Sequence, residues 1–112
     1  MDDEISKEEE IYYYRKAGQI AYETIQEVRS MIKPGTKVID ICRAVEKKIM
    51  EKGATGFSFP PNVSINHIAA HYTSPYNDET VIPKKGLVKL DVGAHVEGFI
   101  SDTAITVALS PE

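Results

Sequence analysis

Two aspartates in the stretch KLDVGAHVEGFISDTAITV, residues 89–107, have a spacing that suits metal-dependent chemistry. The stretch is typical of two apolar strands joined by a two-residue turn at Glu97-Gly98. That turn places Asp102 opposite Gly93, and Asp91 lies two residues from Gly93, so both carboxylates project from one face. Their side chains are then diagonal neighbours, roughly 7 to 8 Å apart. We expect Gly93 to leave the space between them open for cations, as in hydrolytic sites with two metal ions.

Other interpretations of the spacing stay open. Both aspartates could be solvated on an exposed sheet face, or one could cap a backbone N–H. Two carboxylates are also too few ligands for a complete metal site. His67 and His71 are candidate further donors, but from the sequence alone each is better explained as a structural histidine. His95 shares the face of the aspartates but lies roughly 13 Å along the strand from Asp91, so we expect a surface role for it.

The segments before the hairpin are predicted to be helical. Ser6 and Glu9 fit a capping box, and the apolar residues that follow have a helical period. KPGTK, residues 33–37, ends this helix, with Thr36 as the expected cap of the next one. We expect these apolar positions to face the core: Ile11, Tyr14, Ala21, Ile25, Val28 and Ile32 in the first helix, and Val38, Ile41, Val45 and Ile49 in the second, which Gly53 ends. Helices followed by strands indicate an α+β (α/β) domain, with two helices on one face of a mainly antiparallel sheet.

Composition limits the classes of function. The 112 residues carry a net charge of -4, and the excess acid lies entirely in residues 1–10, which hold six acidic residues and one lysine. No Lys/Arg cluster with interleaved aromatic residues appears, so we expect no nucleic-acid partner. No apolar run could cross a bilayer and no targeting signal is evident, so we expect no membrane association and a cytoplasmic location. The single cysteine, Cys42, has an apolar-facing position and is expected to be a buried thiol.

Two motifs carry a family resemblance. FPPNVSINHIAAHYT, residues 59–73, and VKLDVGAHVEGFISDTAITV, residues 88–107, closely resemble the type 2 methionine aminopeptidases. KAGQIAYE, KPGTKVIDI and EKKIMEKGA resemble the first two helices of that family and the loop between them. The resemblance implies the pita-bread metallopeptidase fold. It also implies metal-dependent removal of the initiator methionine from nascent proteins.

The resemblance implies roles for four residues. Asp91 and Asp102 match the family's metal ligands, with Asp91 on one metal and Asp102 bridging two divalent ions. The carboxylates do not distinguish cobalt, manganese, iron and zinc. His71 matches the histidine that contacts the substrate amide or the tetrahedral intermediate. Phe59 matches a wall of the pocket for the methionine side chain, whereas His67 and His95 match no functional position.

The resemblance covers only part of the family's site. The remaining ligands, a histidine and two glutamates, belong to a second half that is absent from these 112 residues. We therefore expect one domain, residues 1–112, that is the N-terminal half of a catalytic domain and is inactive alone. The implied partners are N-terminal methionyl peptides and the ribosome, and the fragment is expected to self-associate. The alternative is a non-catalytic pita-bread protein that binds ribosomes or other protein partners.

Overall fold

The computed structural model describes residues 6–67, 70–73 and 80–109. Two α-helices come first, α1 (Lys7–Val28) and α2 (Val38–Glu51), with a short 3₁₀ helix, Arg29–Met31, between them. Four strands follow: β1 (Gly56–His67), β2 (Ala70–Thr73), β3 (Gly86–Val96) and β4 (Phe99–Leu109). This order of helices and then strands agrees with the predicted α+β class.

Helix α1 begins with the predicted capping box. The Ser6 hydroxyl accepts a hydrogen bond of 3.1 Å from the Glu9 backbone N–H, and the Glu9 carboxylate accepts one of 3.1 Å from the Ser6 N–H. These two bonds satisfy N–H groups that have no partner within the helix. The buried residues of α1 start only at the third turn and are Ala17, Ile20, Ala21, Thr24, Ile25 and Val28.

In the first two turns of α1, the residues predicted to face the core are exposed instead. Ile11 and Tyr14 are 50% and 51% exposed, so the prediction that they face the core was wrong. The physical reason is that this end of α1 lies beside the tip of the β3–β4 hairpin. Tyr13 stacks on Phe99 with 5.7 Å between ring centroids, and Tyr14 meets the same ring edge-on at 5.0 Å.

Helix α2 carries the predicted stripe but not the predicted cap. Its stripe positions, Val38, Ile41, Val45 and Ile49, are all fully buried. Lys37 is the N-cap and makes no side-chain capping bond, so the prediction for Thr36 was wrong. The backbone oxygen of Thr36 instead accepts from the Ile82 N–H at 2.8 Å. Gly53 follows the helix at φ 98°, a conformation that favours glycine, and stops it as predicted.

The four strands form one antiparallel sheet in the order β2-β1-β3-β4. Helix α1 packs on β3 and β4, and α2 packs on β1. Alternate residues of β3, namely Leu90, Val92, Ala94 and Val96, are buried beneath the helices. This sheet face is called the helix face below, and the opposite face, which carries Asp91 and Asp102, is called the aspartate face. The prediction of two helices on one face of an antiparallel sheet is confirmed.

The ends of the helices are joined by ion pairs. The Lys52 ammonium lies 2.7 Å from the Glu27 carboxylate and 3.4 Å from that of Glu23, and Lys48 lies 3.2 Å from Glu27. Hydrogen bonds from Lys52 and then Lys48 lower the pKa of Glu27. The hydrogen bond to Glu27 raises the pKa of Lys52. These contacts connect α1 to the C-terminal end of α2.

Cys42 is a buried thiol, as predicted. Burial raises its pKa to about 11, so the reactive thiolate is scarce at neutral pH. Its Sγ donates weakly to the Pro61 carbonyl at 3.9 Å. Within the described part of the chain, neither helix has the length and apolar content needed to cross a membrane.

Candidate metal centre

The β3–β4 hairpin has the predicted register. Val96 pairs with Phe99, and Gly93 pairs with Asp102. The turn residues Glu97 and Gly98 have φ values of 52° and 87°. Positive φ at both central positions is the mark of a type I′ turn, whose twist matches the flanking strands. A two-residue turn with this register puts Asp102 opposite Gly93, as the sequence predicts.

The two aspartates therefore share one face. Asp91 pairs with Ala104, two residues beyond Asp102 on β4, so the carboxylates are diagonal neighbours. Asp102 is exposed, and the Asp91 side chain is 27% exposed. The Lys89 ammonium lies 3.8 Å from the Asp91 carboxylate and supplies a partly solvated positive charge. The predicted placement of the pair, as diagonal neighbours on one face, is confirmed, whereas its role as a metal ligand pair stays a prediction.

Strand β1 brings Phe59 to the aspartates. Phe59 pairs with Gly93, which pairs on its other side with Asp102, so these three residues form one row across the sheet. The next row is formed in the same way by Asn62, Asp91 and Ala104. Phe59 therefore lies on the aspartate face, one strand from β3.

The space above Gly93 is filled by side chains of β1, whereas an open space was expected. A Cβ added there would lie 2.6 Å from the Phe59 ring and would also collide with the Ser58 hydroxyl. Gly93 is thus required because β1 side chains approach the β3 backbone closely. The expectation that Gly93 leaves an open space for cations was wrong. The volume on the β1 side of Asp102 is occupied by an aromatic ring.

Three buried polar atoms lie near the aspartate rows. Ser58 Oγ, Asn62 Oδ1 and His95 Nδ1 have no hydrogen-bond partner among the described residues. His95 is only partly exposed, and its Nε2 lies 3.0 Å from where a Cβ of Gly56 would be. The expectation of a surface histidine was therefore wrong, because β1 covers its ring. His95 lies four positions along β3 from Asp91, with three residues between them.

Ser58 and Asn62 lie beside the aspartates, and the sequence analysis did not predict either of them there. Phe59 and Asn62 are three residues apart, so strict alternation would place them on opposite faces of the sheet. Irregularities in the β1–β3 register between Gly56 and Phe59, and again between Phe59 and Asn62, bring both onto the aspartate face. The signal was present in the sequence as Pro60-Pro61, because proline within a strand run indicates a bulge.

The other predicted histidines are described only through their backbone. His71 lies in β2 and pairs with Asn66 of β1. His67 is the last residue of β1 and pairs with Ala70. The side chains of both histidines lie outside the described residues, so the substrate-binding role of His71 stays a prediction.

The two aspartates have the right type of donor atom for a divalent metal but too few donors. Carboxylate oxygens suit hard or borderline cations, and Asp91 and Asp102 offer four oxygens at most. Among the side chains that the structure describes, which exclude those of His67 and His71, no group of three or more His, Cys, Asp or Glu is close enough to hold an ion. The two carboxylates alone are therefore too few donors for a complete metal site.

Comparison with known proteins identifies the family of this chain. Residues 13–112 match the model of metallopeptidase family M24. The chain belongs to this family. A methionine aminopeptidase from Thermococcus onnurineus is 50% identical over 97 residues, which are 87% of this chain and 32% of that protein. Membership of a metallopeptidase family implies a divalent metal cofactor.

Two solved structures share the fold. The methionine aminopeptidase of Thermotoga maritima matches with a TM-score of 0.79 and 26% identity, over 96% of this chain and 45% of that one. The prolidase of Pyrococcus horikoshii matches with a TM-score of 0.81 and 27% identity, over 96% of this chain and 31% of that one. These matches confirm the expected half of a pita-bread fold. The chain spans 32% of the length of the curated Thermococcus relative.

Proposed function

We propose that this chain is the N-terminal half of the catalytic domain of a metal-dependent aminopeptidase that removes the initiator methionine from nascent proteins. The observation that carries the proposal is the row of Phe59, Gly93 and Asp102, with Asp91 as the diagonal neighbour on the same face. This row combines an oxygen donor pair with an apolar wall. The 50% identity to a methionine aminopeptidase supports the choice of substrate.

Asp91 and Asp102 would hold two divalent ions, drawn from cobalt, manganese, iron and zinc. When bound, such ions polarise the scissile carbonyl and lower the pKa of water. The carboxylate oxygens at both positions would be the donors that attract and orient the cations. Lys89, at 3.8 Å from Asp91, offsets part of the repulsion between the two carboxylates.

Phe59 would form a wall of the pocket for the methionine side chain. Its ring lies against the backbone of Gly93, 2.6 Å from where a Cβ would be, so it is held in place by close packing. A rigid aromatic wall beside the donor pair would exclude water and position an apolar side chain next to the scissile bond. Thioether groups also make favourable contacts with aromatic rings.

His71 would donate a hydrogen bond to the oxyanion of the substrate. We expect His71→Ala, in a complete enzyme, to lower kcat by about 10²-fold or more, the size typical of losing one oxyanion donor. Steady-state kinetics on a methionyl peptide would measure this loss. A change confined to KM would mean that His71 binds substrate and transition state equally and has no catalytic role.

The isolated 112 residues are expected to be inactive and to bind divalent ions weakly, because two carboxylates alone repel each other. The aspartate face also exposes Ile100, at 54%, and Ala104 beside Asp102. We expect this surface to drive self-association of the isolated chain. The proposed setting is the cytoplasm, with methionyl peptides of nascent chains as substrates and the ribosome as their source.

A hybrid protein tests the function. In this hybrid, residues 13–112 replace the matching segment of the Thermococcus onnurineus methionine aminopeptidase, and the unmodified relative is the control. We expect the hybrid to release methionine from a methionyl peptide, to lose this activity in a chelator and to regain it with added metal. A folded hybrid that releases no methionine would contradict the proposal and favour a non-catalytic binding protein.

A further inference from the structure

A single cation lies beside one of the two aspartates. The Lys89 ammonium is 3.8 Å from the Asp91 carboxylate, and in the part of the chain that the structure describes neither group forms an ion pair with any other residue. The two residues are two positions apart on β3, so their side chains project together from the aspartate face. Asp91, the proposed metal ligand, therefore has a positive partner that is part of the chain itself.

Lys89 approaches Asp91 from the side opposite to Asp102. Lys89 lies in a row across the sheet with Ser64 and Thr106, neither of which carries a charge. On the aspartate face, the Asp91 row lies between this row and that of Asp102. An ion held between the two carboxylates would thus reach Asp91 from one side, and the ammonium reaches it from the other. The same carboxylate attracts both cations.

The contact has the properties of an ion pair that is easily released. Its separation of 3.8 Å is long for a charge-assisted hydrogen bond, and the Lys89 side chain is 53% exposed, whereas that of Asp91 is 27% exposed. A hydrated ammonium on a flexible stem leaves such a pair at little cost, because exposed ion pairs contribute little free energy. The carboxylate, on its shorter side chain, stays where the strand places it.

We propose that Lys89 is a tethered cation that holds Asp91 in the metal-free chain and competes with the divalent ion for this carboxylate. The inference rests on the proposed function, in which Asp91 is a metal ligand. Binding of the ion moves the ammonium away from the carboxylate, because positive charges within a few ångströms repel each other. Lys89 is thus a positioning residue that steadies Asp91 before the metal binds and lowers the affinity of the centre for the metal.

Nuclear magnetic resonance of the Lys89 side chain tests the pairing on the full chain. The signal is assigned as the one that is missing from the spectrum of K89Q. Asp91→Asn should move it toward the position of a free lysine, and D40N, which removes an exposed aspartate from α2, should leave it unchanged. Zinc, a diamagnetic ion, should at millimolar concentration move the signal of the unaltered chain in the same direction. Absence of either displacement would overturn the proposal.

Zinc affinity measured by calorimetry tests the competition, with Asp91→Asn as the background from zinc bound elsewhere. K89Q should bind zinc at least about threefold more tightly than the unaltered chain, because the competing charge is gone. K89R keeps the charge and should bind no more tightly than the unaltered chain. The control is K47Q, which removes an equal charge and a comparable ion pair, 3.9 Å between Lys47 and Glu51. It should change the affinity by less than about 1.5-fold, because the charge is distant and screened.

Three other results would contradict the proposal. Weaker zinc binding by both K89Q and K89R would assign Lys89 a purely structural role. Equal gains in K89Q and K47Q would show an effect of net charge alone, and unchanged affinity in K89Q would show that the ammonium does not compete. Circular dichroism checks that each variant is folded. None of these measurements requires peptidase activity, so failure of the proposed function, read as methionine release by the hybrid, is recognised separately.

Discussion

The two faces of the sheet are built for different purposes. On the helix face, Leu90 and Val92 are completely buried and pack into the core that α1 and α2 cover. On the aspartate face, Asp102 and Ala104 are exposed, and the Ile100 side chain is 54% exposed. The sheet therefore has one buried apolar face that stabilises the fold and one exposed face, on which the aspartates lie beside Ile100 and Ala104, that carries the candidate chemistry.

The difference in burial between the two faces explains why one carries apolar residues and the other carries carboxylates. Apolar side chains on the helix face are removed from water, and their burial supplies stability. Carboxylates on the aspartate face remain partly hydrated and can bind cations without a large desolvation penalty. Substitutions on the helix face should therefore change stability, and substitutions on the aspartate face should change metal binding and activity.

The largest effect is expected on the aspartate face. Asp102→Asn in the hybrid should abolish methionine release, because the carboxylate proposed to hold the metal ions becomes a neutral amide. Its free energy of unfolding should change by about 0.5 kcal/mol or less, as for other exposed substitutions. Peptidase assays and urea unfolding measure the two effects. Full activity with full metal occupancy in this variant would refute the role of Asp102.

The hairpin and both helices could be predicted from the sequence. Local signals specify them: the capping box at Ser6, the stripe of α2 and the turn at Glu97-Gly98. The same turn gave the relative placement of Asp91 and Asp102, because strand alternation carries register along a hairpin. Short-range rules were sufficient for these features.

The surroundings of the aspartates were harder to predict from the sequence. Register irregularities in β1 put Phe59 and Asn62 on one face, and the packing of Phe59 and Ser58 over Gly93 depends on that long-range pairing. The exposure of Tyr14 depends on where the sheet ends beneath α1. These features arise from contacts between segments far apart in the chain, which periodicity within one segment does not reveal.

A core truncation on the helix face should have the next largest effect. Leu90 is fully buried, so Leu90→Ala should lower the free energy of unfolding by about 2 to 5 kcal/mol through lost burial and a cavity. Ile100→Ala, on the aspartate face, is the matched control and should cost about 0.5 kcal/mol or less. Urea unfolding compares the two variants. Equal losses would mean that the aspartate face is also packed.

The contact between β1 and Gly93 should give a smaller effect. Gly93→Ala introduces a Cβ into the space occupied by Phe59 and Ser58, and we expect a loss of about 1 to 3 kcal/mol from overpacking. In the S58A/F59A background the same change should cost clearly less, because the colliding atoms are removed. A double-mutant cycle by urea unfolding measures this coupling. Strict additivity would show that Phe59 does not pack on Gly93.

Metal titration of the hybrid by isothermal calorimetry tests the central claim most directly. The claim is that Asp91 and Asp102, diagonal neighbours on one sheet face, are the metal ligands supplied by this chain. We expect the hybrid to bind two manganese ions, D91N/D102N to lose this binding, and D40N, an exposed aspartate on α2, to retain it. Unchanged stoichiometry and affinity in folded D91N/D102N would contradict the claim.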